Sequence, residues 1–179
     1  VVLEVTVGDA LRAAAHDRPD TFALIEINAS GERGAALSYQ ALLNRCEVLA
    51  RALTSRFSKG ERVVVWAHNV PEWLVMEYAC ALAGVVLVPA NPSFRAKELR
   101  YVLEQSGAVG LFLVKDYRGN PMGVIADEAV QGLNLREVTY LTDQDAMLRG
   151  GDFPHALPQV QPGDPFQIQY TSGTTGFPK

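Results

Sequence analysis

The sequence has 179 residues, of which 48% are hydrophobic and 20% charged, and its formal net charge is -4. This composition is ordinary for a globular protein with a sizeable core, and the length suits one domain or one domain plus part of another. The mild acidity, and the lack of a run of Lys and Arg interleaved with aromatic residues, argue against a protein that binds nucleic acid.

The cysteines and histidines do not have the spacing of a metal site. Cys46 and Cys80 lie among apolar residues of helical pattern, and we expect them to be reduced core residues of a cytosolic protein. His16, His68 and His155 are scattered and are expected to be ordinary surface or core residues. No signal peptide and no uncharged segment of membrane-spanning length is visible. We therefore expect a cytoplasmic protein without a transmembrane segment, and peripheral association with a membrane is left open.

The first third of the chain has the pattern of a helix, a β-hairpin and a second helix. A helix is predicted over residues 7–15, and a hairpin over residues 22–27 and 35–39, because the Asn, Ser and Gly residues between them favour a turn. Ser38 is the expected N-cap of the next helix, since its hydroxyl can accept a hydrogen bond from a first-turn N–H. The apolar residues that follow recur with helical spacing at Leu42, Cys46, Leu49 and Leu53.

The middle of the chain alternates between strands and helices. Continuous apolar runs at residues 63–67, 85–88 and 109–114 are typical of strands that are buried on both faces, as in a parallel sheet. Residues 70–83 and 95–106 between them have helical patterns. This order predicts an α/β fold, in which a parallel βαβαβ sheet carries helices on both faces and has right-handed crossovers.

After Lys115 the alternation of apolar strands and helical patterns becomes weaker. A helix is predicted over residues 124–133 and a short strand over residues 138–141. Residues 149–165 are rich in Pro and Gly in irregular order, which predicts a surface connection without regular structure. A final strand is predicted over residues 166–170.

The last predicted strand leads into a segment of hydroxyl side chains and glycines. The candidate phosphate-binding residues are Thr171, Ser172, Gly173, Thr174, Thr175, Gly176 and Lys179. Glycines allow successive N–H groups to point into one concavity that binds an anion, while the hydroxyls add donors and the lysine adds a positive charge. The segment is not a Walker A loop, because its lysine does not follow a glycine. From the residues alone, a flexible polar tail remains the alternative interpretation.

Three motifs resemble a known family. "YTSGTTGFPK" resembles the phosphate-loop signature of the adenylate-forming (AMP-binding) superfamily, which includes acyl-CoA synthetases, adenylation domains of peptide synthetases, and luciferases. "LSYQALLNRCEVLARAL" and "VPEWLVMEYACALAGVVLVPANPSFRAKELRYVLEQSGA" resemble two earlier blocks of the same family, in the same order. The resemblance implies that residues 1–179 are the truncated N-terminal part of a large AMP-binding domain.

The resemblance also implies a reaction. In this family ATP and a carboxylic acid give an acyl-adenylate and pyrophosphate, and a thiol such as coenzyme A then takes the acyl group. The implied partners are therefore small molecules: ATP with Mg²⁺, a carboxylic acid and coenzyme A. By resemblance, residues 171–179 hold the β- and γ-phosphates of ATP, and the hydroxyl of Thr171 helps to hold Mg²⁺.

One segment of the sequence indicates the substrate class. "NPSFRAKELRYVLEQSGA" is similar to the form found in acyl-CoA synthetases, whereas amino-acid-activating domains more often have "DPxYP" at this place. This favours a fatty acid or another carboxylic acid. The alternatives are a module that activates an amino or aryl acid, and a non-catalytic nucleotide-binding domain.

The sequence departs from the family pattern at its end. The glycine that usually follows the signature lysine is missing after Lys179, as are the later motifs for adenine, Mg²⁺ and ribose and the small domain that carries the catalytic lysine. We therefore expect no catalytic residue within residues 1–179 and no activity of this chain alone. The phosphate loop is expected to be poorly organised here, with residues 166–170 as the last well-fixed strand. ATP is expected to bind with a dissociation constant on the order of millimolar or weaker.

Overall fold

The computed structural model describes residues 4–28, 30–149, 153 and 156–171 of the chain. Its helices and strands in chain order are α1 Val7–Asp17, β1 Phe22–Ile27, β2 Arg33–Ser38, α2 Tyr39–Thr54, β3 Arg62–Trp66, α3 Pro71–Ala83, β4 Val86–Ala90, α4 Ala96–Ser106, β5 Gly110–Leu113, α5 Met122–Ala129, β6 Glu137–Tyr140 and α6 Gln144–Met147. Within the described residues, no helix is both long enough and apolar enough to cross a membrane.

A four-stranded sheet forms the centre of the molecule. Its strands lie in the order β4-β3-β5-β6 and every neighbouring pair is parallel. In the shared register, Val64 of β3 lies between Val88 of β4 and Leu111 of β5, and all three side chains are fully buried. The predicted set of three adjacent parallel strands is therefore confirmed, and β6 adds a fourth.

The helices cover both faces of this sheet, as predicted for the α/β fold. One group consists of α1, α2 and α3, which pack against one another, and the other consists of α4 and α5. The predicted apolar stripe of α2 is buried, and the Ser38 hydroxyl accepts a hydrogen bond from the N–H of Ala41, which confirms the expected N-cap. Helix α3 ends at Ala83 and is capped by Gly84, whose positive φ of 67° a glycine adopts without strain.

Two predicted elements differ from the structure by more than two residues, and α6 has no predicted counterpart. The helix predicted over residues 124–133 is α5, which begins at Met122 and ends at Ala129, because a turn follows it in which Gly132 has a φ of 75°. The strand predicted over residues 166–170 is only an isolated parallel bridge, in which Leu87 of β4 pairs with Gln167.

The reason for the short bridge lies in β4. The N–H of Leu87 donates to the carbonyl of Phe166 at 3.0 Å, and the N–H of Ile168 donates to the carbonyl of Leu87 at 2.9 Å. The next donor on this edge of β4 would be residue 89, which is Pro89 and has no N–H. The ladder therefore stops after one pair of hydrogen bonds.

The connection that precedes this bridge is tied to the body of the protein. Its described residues, 153 and 156–165, contain no helix or strand, in agreement with the predicted irregular connection. The Lys59 ammonium lies 2.6 Å from the Asp164 carboxylate and donates to the carbonyl of Gln159 at 2.9 Å. These contacts hold the connection against the turn between α2 and β3.

A buried ion pair fixes β6 to the end of α2. Arg56 Nη1 lies 2.6 Å from Glu137 Oε1, and the two side chains are only 14% and 8% exposed. Arg56 also donates to the carbonyl of Met147 at 2.7 Å, and Thr139 donates to Glu137 at 2.7 Å. One guanidinium therefore joins α2, β6 and α6.

We expect the Arg56→Met substitution to lower the free energy of unfolding by about 3–5 kcal/mol, because it leaves the Glu137 carboxylate buried without its cation. Urea denaturation followed by circular dichroism measures this. The matched control is Arg12→Met, which breaks the exposed pair with Asp9 and a longer pair with Glu47 at 3.7 Å, and should cost about 1 kcal/mol or less. Equal losses for the two variants would contradict the structural role of the buried pair.

Candidate functional site

The carboxyl ends of the parallel strands define the edge at which a ligand is expected. From β3 the chain passes through α3 to one neighbour, β4, and then through α4 to the other neighbour, β5. The strand order therefore reverses about β3. In open parallel sheets, ligands bind in the crevice outside the carboxyl ends of the strands, at such a reversal. The loops at this place are residues 67–70, 91–95 and 114–121.

Thr171, the first of the predicted phosphate-loop residues, follows a segment that runs towards the same edge. Because Gln167 pairs with Leu87 in parallel, the chain after Gln167 runs towards the carboxyl end of β4. Tyr170 packs against the core, and burial and the nearby Tyr101 raise the pKa of its phenol. Thr171 follows and is exposed. The other predicted site residues lie outside the described residues: Ser172, Gly173, Thr174, Thr175, Gly176 and Lys179.

The loop after β4 is held by the end of β3. Trp66 is fully buried, and its indole N–H donates to the carbonyl of Asn91 at 2.7 Å. The Asn91 side chain in turn accepts from the N–H of Ser93 at 2.9 Å, which shapes the turn that begins α4. The position of this loop is thus determined by a core residue of the central strand.

The loop after β5 is joined to the loop after β4 by Asn120. This side chain is only 8% exposed; its amide donates to the carbonyl of Pro92 at 2.8 Å and its oxygen accepts from Arg95 Nη1 at 2.7 Å. Its own backbone closes a tight turn with Tyr117, in which Arg118 has a φ of 47° and Gly119 a φ of 76°. A non-glycine residue at positive φ is uncommon, so this turn displays Arg118 at some conformational cost.

Together these two loops enclose a cleft, which we name the edge cleft. It has a volume of about 440 Å³ and is lined by Asn91, Pro92, Ser93, Arg95, Tyr117, Arg118, Gly119 and Asn120. Arg95 bonds to the neutral Asn120, and the guanidinium of Arg118 lies 5.2 Å from the centre of the Tyr117 ring. Within the part of the chain that the structure describes, neither arginine forms an ion pair with a carboxylate. Two guanidinium groups without carboxylates suit a phosphate group.

An aromatic pair lies beside the edge cleft. The rings of His68, which follows β3, and Tyr117 are stacked with centres 4.7 Å apart and an angle of 16° between them. The Nδ1 atom of His68 is buried and has no hydrogen-bond partner among the described residues. The stack connects the loop after β3 with the loop after β5.

The sequence prediction did not include these residues. Arg95 is the first residue of the helix predicted over residues 95–106, and Arg118 lies in the segment between Lys115 and residue 124, for which no helix or strand was predicted. Their position in the sequence could have identified them as candidate site residues, because both arginines follow an apolar strand of a parallel sheet. Their proximity could not be predicted from spacing, since 22 residues, including α4 and β5, lie between them in sequence.

Mg²⁺ is the ion that the fold family implies. No group of three or more His, Cys, Asp or Glu side chains that could hold a metal ion exists among the described residues. Thr171 offers one neutral hydroxyl. This fits an ion that is bound by few protein ligands and completes its shell with phosphate oxygens and water, as Mg²⁺ commonly does, and does not fit a metal site formed by the protein alone.

Comparisons with known proteins show the family of this chain. A sequence model of the family described as AMP-binding enzyme matches residues 11–179. Human medium-chain acyl-CoA ligase ACSF2, a mitochondrial protein, is 31% identical over 97% of this chain and 32% of its own length. The chain spans about a third of the length of the curated relatives it matches.

Two solved structures illustrate the similarity of fold. The apo structure of MbtA from Mycobacterium smegmatis has a TM-score of 0.83 and 26% identity, over 99% of this chain and 33% of that one. The N-terminal subdomain of NpsA from Klebsiella oxytoca, in complex with 3-hydroxybenzoyl-AMSN, has a TM-score of 0.76 and 25% identity, over 99% of this chain and 40% of that one.

We expect Asn120→Ala to lower the free energy of unfolding by about 1–3 kcal/mol, because it leaves buried partners of the amide without hydrogen bonds. Thermal or urea unfolding measures the loss. Asn44→Ala is the matched control, since Asn44 is exposed and its side chain accepts from Gln40 one turn earlier in α2, so this change should be nearly neutral. A neutral Asn120→Ala variant would show that the two loops do not depend on this bridge.

Proposed function

Because the chain belongs to the family of AMP-binding enzymes, we propose that it is the N-terminal part of an ATP-dependent ligase that joins a carboxylic acid to coenzyme A. The observation that carries the proposal is the similarity to an acyl-CoA ligase over 97% of the chain. In the proposed reaction, an oxygen of the carboxylate attacks the α-phosphorus of ATP and pyrophosphate leaves. The thiolate of coenzyme A then attacks the acyl carbonyl, and AMP leaves.

The proposed role of residues 171–179 is to hold the leaving pyrophosphate. Hydroxyl and backbone N–H donors, together with the ammonium of Lys179, would spread the negative charge that grows on the β- and γ-phosphates. Thr171 would supply a hydroxyl ligand to Mg²⁺, which neutralises phosphate charge when it is bound. These residues bind and orient ATP, whereas the acid–base and adenine-binding groups are proposed to lie in the rest of the parent enzyme. We accordingly propose that residues 1–179 alone are inactive.

The proposed role of the edge cleft is to hold the phosphorylated part of coenzyme A. Arg95 and Arg118 both line it and are free of carboxylate partners among the described residues, so an incoming phosphate has no anion to displace. The cleft and Thr171 lie at the same edge of the sheet. A thiol donor that is bound there would approach from the side on which the acyl-adenylate forms.

A medium-chain fatty acid is the proposed substrate, because the relative ACSF2 is named as a medium-chain acyl-CoA ligase. An aryl acid is the second candidate, since the NpsA subdomain, which has a similar fold, was solved with a 3-hydroxybenzoyl compound. The cytoplasmic location stays a prediction, and the relative ACSF2 is named as mitochondrial.

The test uses the parent enzyme. ATP–pyrophosphate exchange should depend on an added acid and should be strongest with medium-chain fatty acids in a panel that includes hydroxybenzoates and amino acids. Acyl-CoA should then form when coenzyme A is added. Exchange only with hydroxybenzoates would establish the second candidate, and no exchange with any acid would contradict the proposed ligase.

Replacement of the cleft arginines should impair the transfer of the acyl group to coenzyme A without impairing the formation of the acyl-adenylate. In the parent enzyme, Arg95→Ala and Arg118→Ala should each raise the KM for coenzyme A about tenfold or more, since a hydrogen bond to a charged group contributes about 1.5–3 kcal/mol. Exchange measured without coenzyme A should stay near the wild-type rate. The control is Arg45→Ala on α2, which lies outside the cleft and should leave both rates unchanged. A KM for coenzyme A that stays at the wild-type value in both cleft variants would contradict this role.

A further inference from the structure

The side-chain pattern of the segment that leads to Thr171 does not fix its position along β4. Its apolar residues alternate with glutamines: Phe166, Gln167, Ile168, Gln169 and Tyr170. A slip by one residue would turn the apolar side chains away from the core, but a slip by two residues would replace one apolar side chain with another. The ladder adds little, because it stops after the two hydrogen bonds of Leu87. The register of the segment therefore depends on a contact outside the ladder.

Lys59 supplies such a contact. Its Nζ atom lies 2.6 Å from Asp164 Oδ2 and donates to the carbonyl of Gln159 at 2.9 Å. Asp164 closes a turn with Gln161, because its N–H donates to the Gln161 carbonyl at 3.0 Å and its carboxylate accepts from the Gln161 N–H at 2.7 Å. One ammonium therefore holds both ends of a turn that lies two residues before Phe166. We name the contacts of Lys59 with Gln159 and Asp164 the Lys59 latch.

The turn that carries Lys59 is itself fixed to the sheet. The N–H of Gly60 donates to the carbonyl of Gly84 at 2.8 Å, and the N–H of Val86 in β4 donates to the carbonyl of Glu61 at 2.8 Å. Gly84 also leaves room for the lysine stem, since a Cβ atom at position 84 would lie 2.9 Å from Lys59 Cγ. The latch thus starts from the amino ends of β3 and β4, and its position relative to β4 is defined.

The latch is far from the proposed phosphate-binding residues. Lys59 precedes β3, so it lies at the end of the sheet opposite to the edge cleft. Thr171 follows Asp164 by seven residues, and an extended chain of that length spans roughly 23–25 Å. Any effect of the latch on ATP must therefore be transmitted by the position of the segment between them.

We propose that Lys59 and Asp164 are positioning residues for ATP, because the latch sets the register of residues 166–171 on β4 and so places Thr171 at the ligand edge. This rests on the proposed function, in which residues 171–179 hold the phosphates of ATP. The side chains of the pair are 39% and 29% exposed, and ion pairs of this kind contribute little to global stability. Loss of the latch should therefore weaken ATP binding far more than it destabilises the fold.

The test replaces Lys59 in the parent enzyme. Lys59→Met removes the ammonium and keeps an apolar stem beside Gly84. The dissociation constant of Mg-ATP, measured by calorimetric titration, should rise about fivefold or more, while the midpoint of thermal unfolding changes little. In pyrophosphate exchange, the KM for ATP should rise by a similar factor with kcat near the wild-type value. Lys59→Arg should restore the affinity, since a guanidinium can donate to both Asp164 and Gln159.

The matched control breaks another ion pair of the same turn. Arg136 pairs with Glu61, and these side chains are 47% and 31% exposed. Arg136→Met should leave the dissociation constant of Mg-ATP at the wild-type value, because this pair does not contact the segment before Thr171. An unchanged constant in Lys59→Met would overturn the proposal. Equal weakening by Lys59→Met and Arg136→Met would also overturn it.

A double-mutant cycle tests whether the two positioning residues act together. Asp164→Asn removes the charge and keeps an oxygen for the N–H of Gln161. If the latch acts as one unit, the variant with both Lys59→Met and Asp164→Asn should bind Mg-ATP no more weakly than Lys59→Met alone. Effects that multiply in the double variant would contradict a shared role.

Hydrogen exchange gives a readout that does not require ATP. In Lys59→Met the amide of Ile168, which donates to Leu87, should exchange faster than in the wild type, whereas the amide of Val86 serves as an internal reference and should not change. Equal protection of Ile168 in both proteins would overturn the proposal. A wild-type parent that binds no ATP would contradict the proposed function, and the exchange of Ile168 would still decide whether the latch holds the segment.

Discussion

The burial of β3 on both faces and both edges is the constraint on which the rest of the structure depends. Residues 63–66 are fully buried, and β4 and β5 pair with them on either side. Because one strand takes both neighbours, the chain must pass to one side of β3 and then cross to the other, and helices must cover both faces. The reversal of strand order, and the crevice at the carboxyl edge, are consequences of this arrangement. Trp66 connects the core to this edge, since its side chain is fully buried and its indole N–H donates to the carbonyl of Asn91 in the loop after β4.

The sheet was predictable from the sequence because burial on both faces leaves a strong local pattern. Runs such as Val63-Val64-Val65-Trp66 contain no polar interruption, and the helices between the runs have their own period. The edge cleft was not predictable in this way. It is formed by two loops that belong to different strands, and its residues have no shared spacing. Asn120 illustrates this, because its partners Pro92 and Arg95 are distant in sequence and meet it only after the sheet has formed.

For residues 166–170, the sequence itself contains the reason why a bridge forms in place of the predicted strand. The apolar character of residues 166–170 predicts a strand, but the length of a ladder depends on both partners. Pro89 in β4 cannot donate, and it falls at the position at which the ladder with Ile168 would continue. The segment that leads to Thr171 is therefore attached at one point of β4, by the two hydrogen bonds of Leu87 and by the packing of Tyr170. Pro89 lies just beyond the strand predicted over residues 85–88 but inside β4, and a proline at this place limits the pairing of the neighbouring segment.

Arginine has two different uses in this chain, and its partners distinguish them. Arg56 is largely buried, and burial lowers the pKa of its guanidinium while Glu137 opposes that shift. Its charge is matched within the fold, so it can hold elements together but has no capacity left for a ligand. Arg95 and Arg118 lie at the mouth of a cleft and contact a neutral amide and an aromatic ring. An amide and a ring orient a guanidinium without neutralising it. An anion that enters the cleft therefore meets charges that are already positioned, and it does not compete with a carboxylate for them.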